Sequence, residues 1–284
     1  MHGTPMTDTL GKVVSEMGIT KLGFESEHMT YDHLHEIGAA LAGVELVPTK
    51  RAVESLRIAK SEDEVSLIAE ACKLTDEAFE HILGFIKPGV TENEVANELL
   101  TFMIKVGMRP SFDFIVASGA RGAMPHGVAS DKVIAEGDLV TLDFGGFHRR
   151  YTSDMTRTVV VGKPSGEQRA VYDLVLEAQL AGVAAARAGM KCSDVDQVSR
   201  AIIQRAGHGD RFGHGLGHGV GLEIHEAPRL AQSESTVLEP GMVVSVEPGV
   251  YIPGWGGVRI EDLVVITDGD ARVLTSTTKD LIQV

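Results

Sequence analysis

The segment from Phe212 to Glu226 alternates glycine with other residues and carries three histidines, His214, His218 and His225. Glycine inside a helix costs roughly 1 kcal/mol relative to alanine, so a segment with glycine at every second position from 213 to 221 is predicted to be extended. Extended side chains alternate between two faces, which leaves a bare glycine face for another backbone or a ligand. A glycine loop with incidental histidines is the alternative, but three imidazoles here indicate a functional site.

Composition narrows the class of protein. A chain of 284 residues, 43% of them hydrophobic, can form one large domain or one large and one small domain. It has no long apolar run and no signal-peptide pattern, which predicts a cytoplasmic protein with no membrane partner. The net charge of -14 argues against nucleic-acid binding. Cys72 and Cys192 have neither metal-ligand spacing nor a disulfide framework.

The first 57 residues predict a small αβαβ segment. Apolar periodicity indicates helices over Thr7 to Met17 and Tyr31 to Leu41, and short strands over Lys21 to Phe24 and Glu45 to Val47. This segment is short for a domain that folds independently.

Helix starts recur through the rest of the chain. Capping-box patterns run from Ser61 to Glu64 and from Thr91 to Glu94, and further helix starts are predicted at Ser165 to Gln168 and at Ser193 to Asp196. The predicted order is therefore two helices, strands, two helices and strands again.

This order contains an internal repeat. The segment from 87 to 107 aligns with 187 to 207 at a constant shift of 100 residues, with Gly89 over Gly189. The following strand aligns at a shift of 104, with Gly137 over Gly241. The identity is low and a chance match is the alternative, but acidic residues also fall in register and favour a true repeat.

Those acids predict a metal centre. Asp143 and Glu247 end the two equivalent strands, and Asp154 and Glu261 follow in the next strand of each half. Each acid alone could be a turn, a cap or a solvated edge, whereas four carboxylates at one centre need compensating cations. With His218 added, oxygen-rich ligands and one imidazole favour Mn²⁺, Co²⁺, Fe²⁺ or Zn²⁺ over a structural zinc site or a calcium cage.

These residues, in this order, resemble the ligands of the pita-bread metallopeptidases, which include methionine aminopeptidase, prolidase and aminopeptidase P. The matching motifs are Asp143-Phe-Gly-Gly146, Thr152-Ser-Asp154, His214-Gly-Leu-Gly-His218, Val246-Glu-Pro-Gly249 and Arg259-Ile-Glu-Asp262.

The resemblance implies an α+β pita-bread fold with a pseudo-twofold repeat over residues 58–284, preceded by a shortened creatinase-type amino-terminal domain over 1–57. The stretch from Val44 to Glu64 resembles the domain junction of the Xaa-Pro peptidase branch. That branch's amino-terminal domain is typically about twice as long as this segment.

The resemblance also implies the cofactor and the residue roles. Two divalent ions, Mn²⁺ first with Co²⁺, Zn²⁺ or Fe²⁺ as alternatives, would share a bridging water and make hydroxide available near neutral pH. Glu247 would take the proton of this nucleophile, and His225 would steady the oxyanion. His126 would lie near the scissile bond, His214 would line the proline pocket, and Arg259 would pair with nearby carboxylates.

The function expected from this resemblance is a peptidase acting on small peptides with proline at position two, working as a homodimer. Dipeptidase and aminopeptidase activities share all of these residues and both stay open. Two other hypotheses remain: a methionine aminopeptidase of the same fold, and a non-catalytic peptide-binding homologue.

Overall fold

The computed structural model describes residues 5–284, and it separates at Leu56/Arg57 into two units. The α-helices are α1 (Met6–Glu16), α2 (Tyr31–Ala40), α3 (Glu54–Arg57), α4 (Glu62–Leu83), α5 (Glu92–Lys105), α6 (Gly166–Ala185) and α7 (Cys192–Arg205). The strands are β1 (Lys21–Glu25), β2 (Glu45–Thr49), β3 (Arg109–Pro110), β4 (Ile115–Ser118), β5 (Leu139–Phe144), β6 (Gly146–His148), β7 (Tyr151–Thr152), β8 (Met155–Val160), β9 (Gly217–Gly219), β10 (Glu226–Leu230), β11 (Val243–Val246), β12 (Gly249–Ile252), β13 (Gly256–Arg259), β14 (Asp262–Val265) and β15 (Arg272–Val273).

The first unit has the predicted αβαβ order. Strands β1 and β2 pair in parallel, with Lys21 beside Glu45 at one end. Val14 of α1, Ile37 of α2 and Leu41, which follows α2, are buried together. A parallel pair needs a helical crossover, and α2 supplies it.

Three of the four predicted helix starts are confirmed. Ser61, Thr91 and Ser165 each accept a hydrogen bond at Oγ or Oγ1 from the third helical residue, whose own side chain accepts from the cap backbone. These reciprocal bonds satisfy two amide groups that the helix leaves unpaired. Within residues 5–284 no helix is both long and apolar enough to cross a bilayer.

The fourth predicted helix is present, but Ser193 lies inside it and does not cap it. Helix α7 begins at Cys192 after Lys191, and no side chain caps it. The N–H groups of Cys192 and Ser193 instead donate to the carbonyls of Thr236 (2.9 Å) and Glu234 (3.1 Å). Backbone carbonyls of a distant segment therefore accept hydrogen bonds at this helix start, where the sequence pattern predicts a serine cap.

The internal repeat is present in the backbone hydrogen bonds. Gly89 N–H donates to the Ile134 carbonyl at 2.9 Å, and Gly189 N–H donates to the Leu238 carbonyl at 2.9 Å. These two bonds are related by the shifts of 100 and 104 residues that the sequence indicates. The two halves therefore have the same local fold, as the pita-bread resemblance implies.

Each half packs a helix pair on antiparallel strands, and Val65, Ile68 and Cys72 of α4 also pack against Val243 and Leu263 in the other half. Helices α4 and α5 cover the sheet β4-β5-β8, and α6 and α7 cover the sheet β10-β9-β11-β14-β15. The halves join where the Glu261 N–H donates to the Thr156 carbonyl at 3.1 Å. The ends of the equivalent strands, where the predicted ligands lie, therefore meet near this junction.

The glycine-rich segment is extended at its centre, in β9. A Cβ atom on Gly217 would come within 1.9 Å of the Ser245 carbonyl oxygen, and one on Gly219 within 2.4 Å of the Ala227 carbonyl oxygen. Glycine is therefore required because neighbouring backbone packs against this face, as predicted. The remainder of the segment forms turns on either side of β9.

Candidate metal centre

A cavity of about 520 Å³ is lined by side chains from both halves. The structure brings all of the predicted site residues to its wall: His126, Asp143, Asp154, His214, His218, His225, Glu247, Arg259 and Glu261. The five predicted ligands lie on strands or directly beside them. Asp143 lies on β5, Asp154 precedes β8, His218 is central in β9, Glu247 follows β11, and Glu261 lies between β13 and β14.

Three of the five predicted ligands lie close together. Asp154, His218 and Glu261 each offer one ligand atom, and these atoms all lie within 4.8 Å of one another. His218 Nε2 lies 3.5 Å from Asp154 Oδ2 and 3.3 Å from Glu247 Oε1. The imidazole therefore faces carboxylates from both halves.

His218 is oriented for coordination through Nε2. Its Nδ1 lies 3.1 Å from the Gly219 carbonyl oxygen, a contact in which Nδ1 is the donor. A histidine that donates through one ring nitrogen presents the lone pair of the other, which is the usual arrangement of a metal ligand.

Two carboxylate oxygens in this cluster have no hydrogen-bond partner among residues 5–284. They are Asp154 Oδ1 and Glu261 Oε1, in side chains that are almost fully buried. Burial, together with the neighbouring Asp143 charge, raises the pKa of Asp154 to about 7. Burial and the nearby Asp154, Glu247 and Asp143 charges raise the pKa of Glu261 well above its ordinary value.

Unpartnered buried carboxylates are costly, and cations relieve both the missing contacts and the mutual repulsion. The donor set of oxygens and one imidazole fits a divalent metal of the Mn²⁺, Co²⁺, Fe²⁺ or Zn²⁺ kind.

Glu247 behaves differently from the other acids. Burial alone would raise its pKa, but the hydrogen bond and positive charge of His218 outweigh burial and hold the pKa at about 2. Glu247 Oε1 also accepts from Ser245 Oγ at 3.0 Å. This carboxylate is therefore ionised at neutral pH.

Arg259 contacts both the predicted ligand Asp143 and Tyr251. Its Nη2 lies 2.5 Å from Asp143 Oδ2, and its Nη1 donates to Tyr251 Oη at 2.7 Å. Tyr251 Oη lies 2.8 Å from His214 Nε2. Sequence reasoning missed Tyr251, which has no motif of its own and differs from a core tyrosine only by this contact.

The two remaining histidines approach the cluster from different loops. The His225 ring packs edge-on against the ring of His218, with 4.4 Å between centroids. Burial and the His218 charge lower the pKa of His225, which keeps its imidazole neutral. His126 lies in the loop after the 3₁₀ helix Gly119–Ala123 and lines the same cavity.

A buried ion network supports the segment that carries Glu261. Arg157 contacts the Glu261 carbonyl through Nη1 and donates to Asp262 Oδ1 through Nη2 at 2.8 Å. Lys279 Nζ lies 2.5 Å from Asp262 Oδ2. Sequence reasoning missed this network, because its members are more than 100 residues apart for the Arg157 contacts.

Asp262→Asn is expected to lower the free energy of unfolding by about 3–5 kcal/mol, because it leaves the buried Arg157 cation without its carboxylate. Urea unfolding followed by circular dichroism measures the change. Asp268→Asn, at an exposed position, is the matched control and should change stability by less than about 0.5 kcal/mol. Equal stability of the two variants would contradict a supporting role for the Arg157–Asp262 pair.

Other lining residues carry no signal in the sequence. Phe112, Ile115, Val128 and Ile224 supply apolar surface, and Arg229 supplies a cation. No spacing or motif distinguishes them from ordinary strand and loop residues. They come together only through the packing of the two halves.

Comparison with known families places the chain among peptidases. The profile described as "Metallopeptidase family M24" matches residues 66–268, and that described as "Creatinase/Prolidase N-terminal domain" matches residues 3–59.

Individual proteins are similar over nearly the whole chain. The peptidase YqhT of Bacillus subtilis is 50% identical over 282 residues, which cover 99% of this chain and 80% of that protein. Among solved structures, the Xaa-Pro dipeptidase from Bacillus anthracis has a TM-score of 0.98 at 51% identity, covering 100% of this chain and 80% of that one. The X-Pro aminopeptidase from Thermotoga maritima has a TM-score of 0.95 at 37% identity, with 100% and 81% covered. The predicted pita-bread fold is thereby confirmed.

Proposed function

Because this chain belongs to metallopeptidase family M24, we propose that it hydrolyses the bond between an amino-terminal residue and a following proline in a metal-dependent reaction. The observation that carries the proposal is the convergence of Asp154, His218 and Glu261, with two buried carboxylate oxygens that have no hydrogen-bond partner in the described part of the chain. The likeness to Xaa-Pro dipeptidase and X-Pro aminopeptidase structures supports the substrate class.

The cofactor proposal is two divalent ions per chain, with Mn²⁺ first. Asp143, Asp154, His218, Glu247 and Glu261 are the proposed ligands, and all five line one cavity. When bound, such ions lower the pKa of water and polarise a carbonyl oxygen.

Glu247 is proposed to take the proton of the attacking water. A general base must be ionised before the reaction, and bound divalent cations would keep the Glu247 carboxylate in that form. Its position at the end of β11, held by Ser245, fixes the carboxylate against the cavity.

His225 and His126 are proposed to act on the scissile amide. A neutral imidazole that retains one N–H can donate a hydrogen bond to the oxygen on which negative charge develops, and His225 has that form. His126 lies on the same cavity wall and is assigned to the departing proline nitrogen.

The preference for proline is proposed to arise at His214 and Arg259. An Xaa-Pro amide lacks an N–H and has a rigid ring, so recognition must come from shape and not from a backbone donor. Arg259 and Tyr251 fix the His214 ring, which leaves it as a rigid wall beside the cavity.

Residues 58–284 are proposed as the catalytic domain and 1–57 as a creatinase-type amino-terminal domain. A cytoplasmic homodimer is proposed with them. These proposals are supported by the family resemblance.

Arg229 gives a means of distinguishing short substrates from long ones. Arg259 forms an ion pair with Asp143, so it is not free to bind a substrate carboxylate. Arg229 lines the cavity and forms no ion pair with a described residue. A dipeptide ends in a carboxylate immediately after the proline ring, where an arginine can pair with it. We therefore propose that Arg229 favours dipeptides.

Arg229→Ala is expected to raise KM for Ala-Pro by about tenfold to a hundredfold, because one charge-assisted hydrogen bond contributes about 1.5–3 kcal/mol. KM for Ala-Pro amide, which lacks the carboxylate, should change little. Steady-state kinetics with both substrates measures the difference. An equal rise for the two substrates would rule out recognition of the carboxylate by Arg229.

The experiment that tests the proposed function gives the Mn²⁺-loaded protein Ala-Pro, Ala-Pro-Ala and Met-Ala-Ser together and follows the products by mass spectrometry. Release of alanine from either proline peptide supports the proposal, and the faster substrate selects dipeptidase or aminopeptidase activity. Release of methionine alone would establish a methionine aminopeptidase. Tight binding without cleavage of any peptide would establish a non-catalytic homologue.

A further inference from the structure

The position of His225 is determined by the loop that carries it. Its side chain is exposed and contacts the His218 ring, but it forms no hydrogen bond with a described side chain or backbone group. The hairpin loop, defined here as residues 220–225, joins β9 to β10 and contains Gly221. A mobile loop would therefore move the imidazole.

Glu226 holds this hairpin loop from within. Its side chain is only 6% exposed, and Oε1 accepts the Glu223 N–H at 3.0 Å. A Cβ atom on Gly221 would come within 2.7 Å of Glu226 Oε2, so the carboxylate fills the inside of the loop. Glu226 also pairs with Gly219 across the two strands, next to the ligand His218.

Two cationic side chains, Lys60 and Arg57, form ion pairs with Glu226. Lys60 Nζ lies 3.2 Å from Glu226 Oε2, and its side chain is 2% exposed. Arg57 contacts Glu226 Oε1 and lies 3.2 Å from Glu223 Oε2. Both residues precede α4 and lie far from the hairpin loop in sequence.

Lys60 is itself fixed to the scaffold. Its N–H donates to the Gly241 carbonyl at 2.8 Å, and Gly241 is the turn residue before β11. The turn before β11 therefore fixes the backbone of Lys60, and the Lys60 ammonium group contacts Glu226 in the hairpin.

We propose that Arg57, Lys60 and Glu226 form an ion-pair tether that positions His225 against the predicted metal ligand His218. None of the three lines the cavity, so they are positioning residues that act through His225. The catalytic part of this inference rests on the proposed function, since it concerns the contribution of His225 to turnover.

Lys60→Met is expected to lower kcat for Ala-Pro roughly tenfold to hundredfold, with KM and metal content nearly unchanged. Displacing a group that acts in the transition state lowers kcat, and supporting residues around metal sites typically have effects of this size. Because a buried variant can fail to fold, Arg57→Met and Arg57→Lys are made in parallel. Arg57 is 22% exposed, and the lysine variant, which retains the charge, should recover most of the loss.

A double-mutant cycle with His225→Ala distinguishes an effect on kcat that acts through the position of His225 from an effect that is independent of His225. If the tether acts through His225, then Lys60→Met adds less than about twofold to the kcat loss of His225→Ala. Equal factors with and without His225 would overturn the proposal.

Hydrogen exchange followed by mass spectrometry tests the tether without reference to activity. Peptides covering 219–230 should exchange faster in Lys60→Met and in Arg57→Met than in the wild type. The control is Lys132→Met, which removes another partly buried ion pair, Lys132 Nζ to Asp138 Oδ2 at 2.6 Å, outside the cavity. It should leave exchange in 219–230 and kcat unchanged.

Unchanged exchange in both tether variants would overturn the inference. If the wild type cleaves no Xaa-Pro peptide, the proposed function fails but the exchange result still decides the tether: faster exchange supports it and unchanged exchange contradicts it.

Discussion

Glu247→Gln is expected to lower kcat for Xaa-Pro cleavage by about 10²- to 10⁴-fold, the usual contribution of general-base catalysis. The amide has nearly the same shape but cannot accept a proton from water. The effect should be large because Glu247 follows β11 on the cavity wall, where Ser245 Oγ donates a hydrogen bond to its carboxylate at 3.0 Å.

Single-turnover kinetics on metal-loaded protein, with metal content measured in the same sample, tests this prediction. Glu177→Gln, at an exposed position on α6, is the matched control and should keep the wild-type rate. Wild-type turnover by the Glu247 variant at equal metal content would exclude Glu247 as the base. A loss of turnover that follows loss of metal would assign the residue to metal binding alone.

Asp154→Asn is expected to abolish most of the stabilisation that Mn²⁺ gives the protein. A ligand that binds only the folded state adds about 2.7 kcal/mol at a concentration one hundred times its Kd. If removing one ligand weakens affinity by about a hundredfold, the same Mn²⁺ concentration stabilises the variant by only about 0.4 kcal/mol.

The metal-free variant should differ in the opposite direction. Without metal, Asp154 is a buried carboxylate among other acids with one unpartnered oxygen, so the neutral amide should be at least as stable as the wild type. Thermal unfolding with EDTA and with Mn²⁺ measures both terms, and Asp270→Asn at an exposed position is the control. An equal Mn²⁺ response in Asp154→Asn and wild type would show that Asp154 is not a ligand.

The residues that the sequence predicted best are those whose backbone or chemistry leaves few alternatives. Gly137 and Gly241 have φ of 85° and 86°, a conformation that other residues adopt with strain, so glycine recurs at both turns. Asp143 and Glu247 recur with them because each lies at the end of the strand that follows the turn, β5 or β11. Repeated glycines and acids therefore predicted the register of the two halves, and the assignment of these acids as metal ligands stays a prediction.

Contacts made by ordinary residues over long distances could not be predicted in this way. Tyr251, which contacts His214 and Arg259, and Lys60 in the tether are unremarkable in the sequence, and Lys60 contacts a glutamate 166 residues away. At Ser193 the pattern itself misled, because distant carbonyls took the place of the predicted cap. In each case the deciding partner is chosen by tertiary packing and not by local sequence.

The most direct measurement follows bound metal and Ala-Pro hydrolysis together while the stripped protein is titrated with Mn²⁺. Two ions per chain are expected, with no hydrolysis in their absence and a rate that rises as the sites fill. Hydrolysis at full rate without metal, or a fully loaded protein that cleaves no Xaa-Pro peptide, would contradict a metal-dependent Xaa-Pro peptidase.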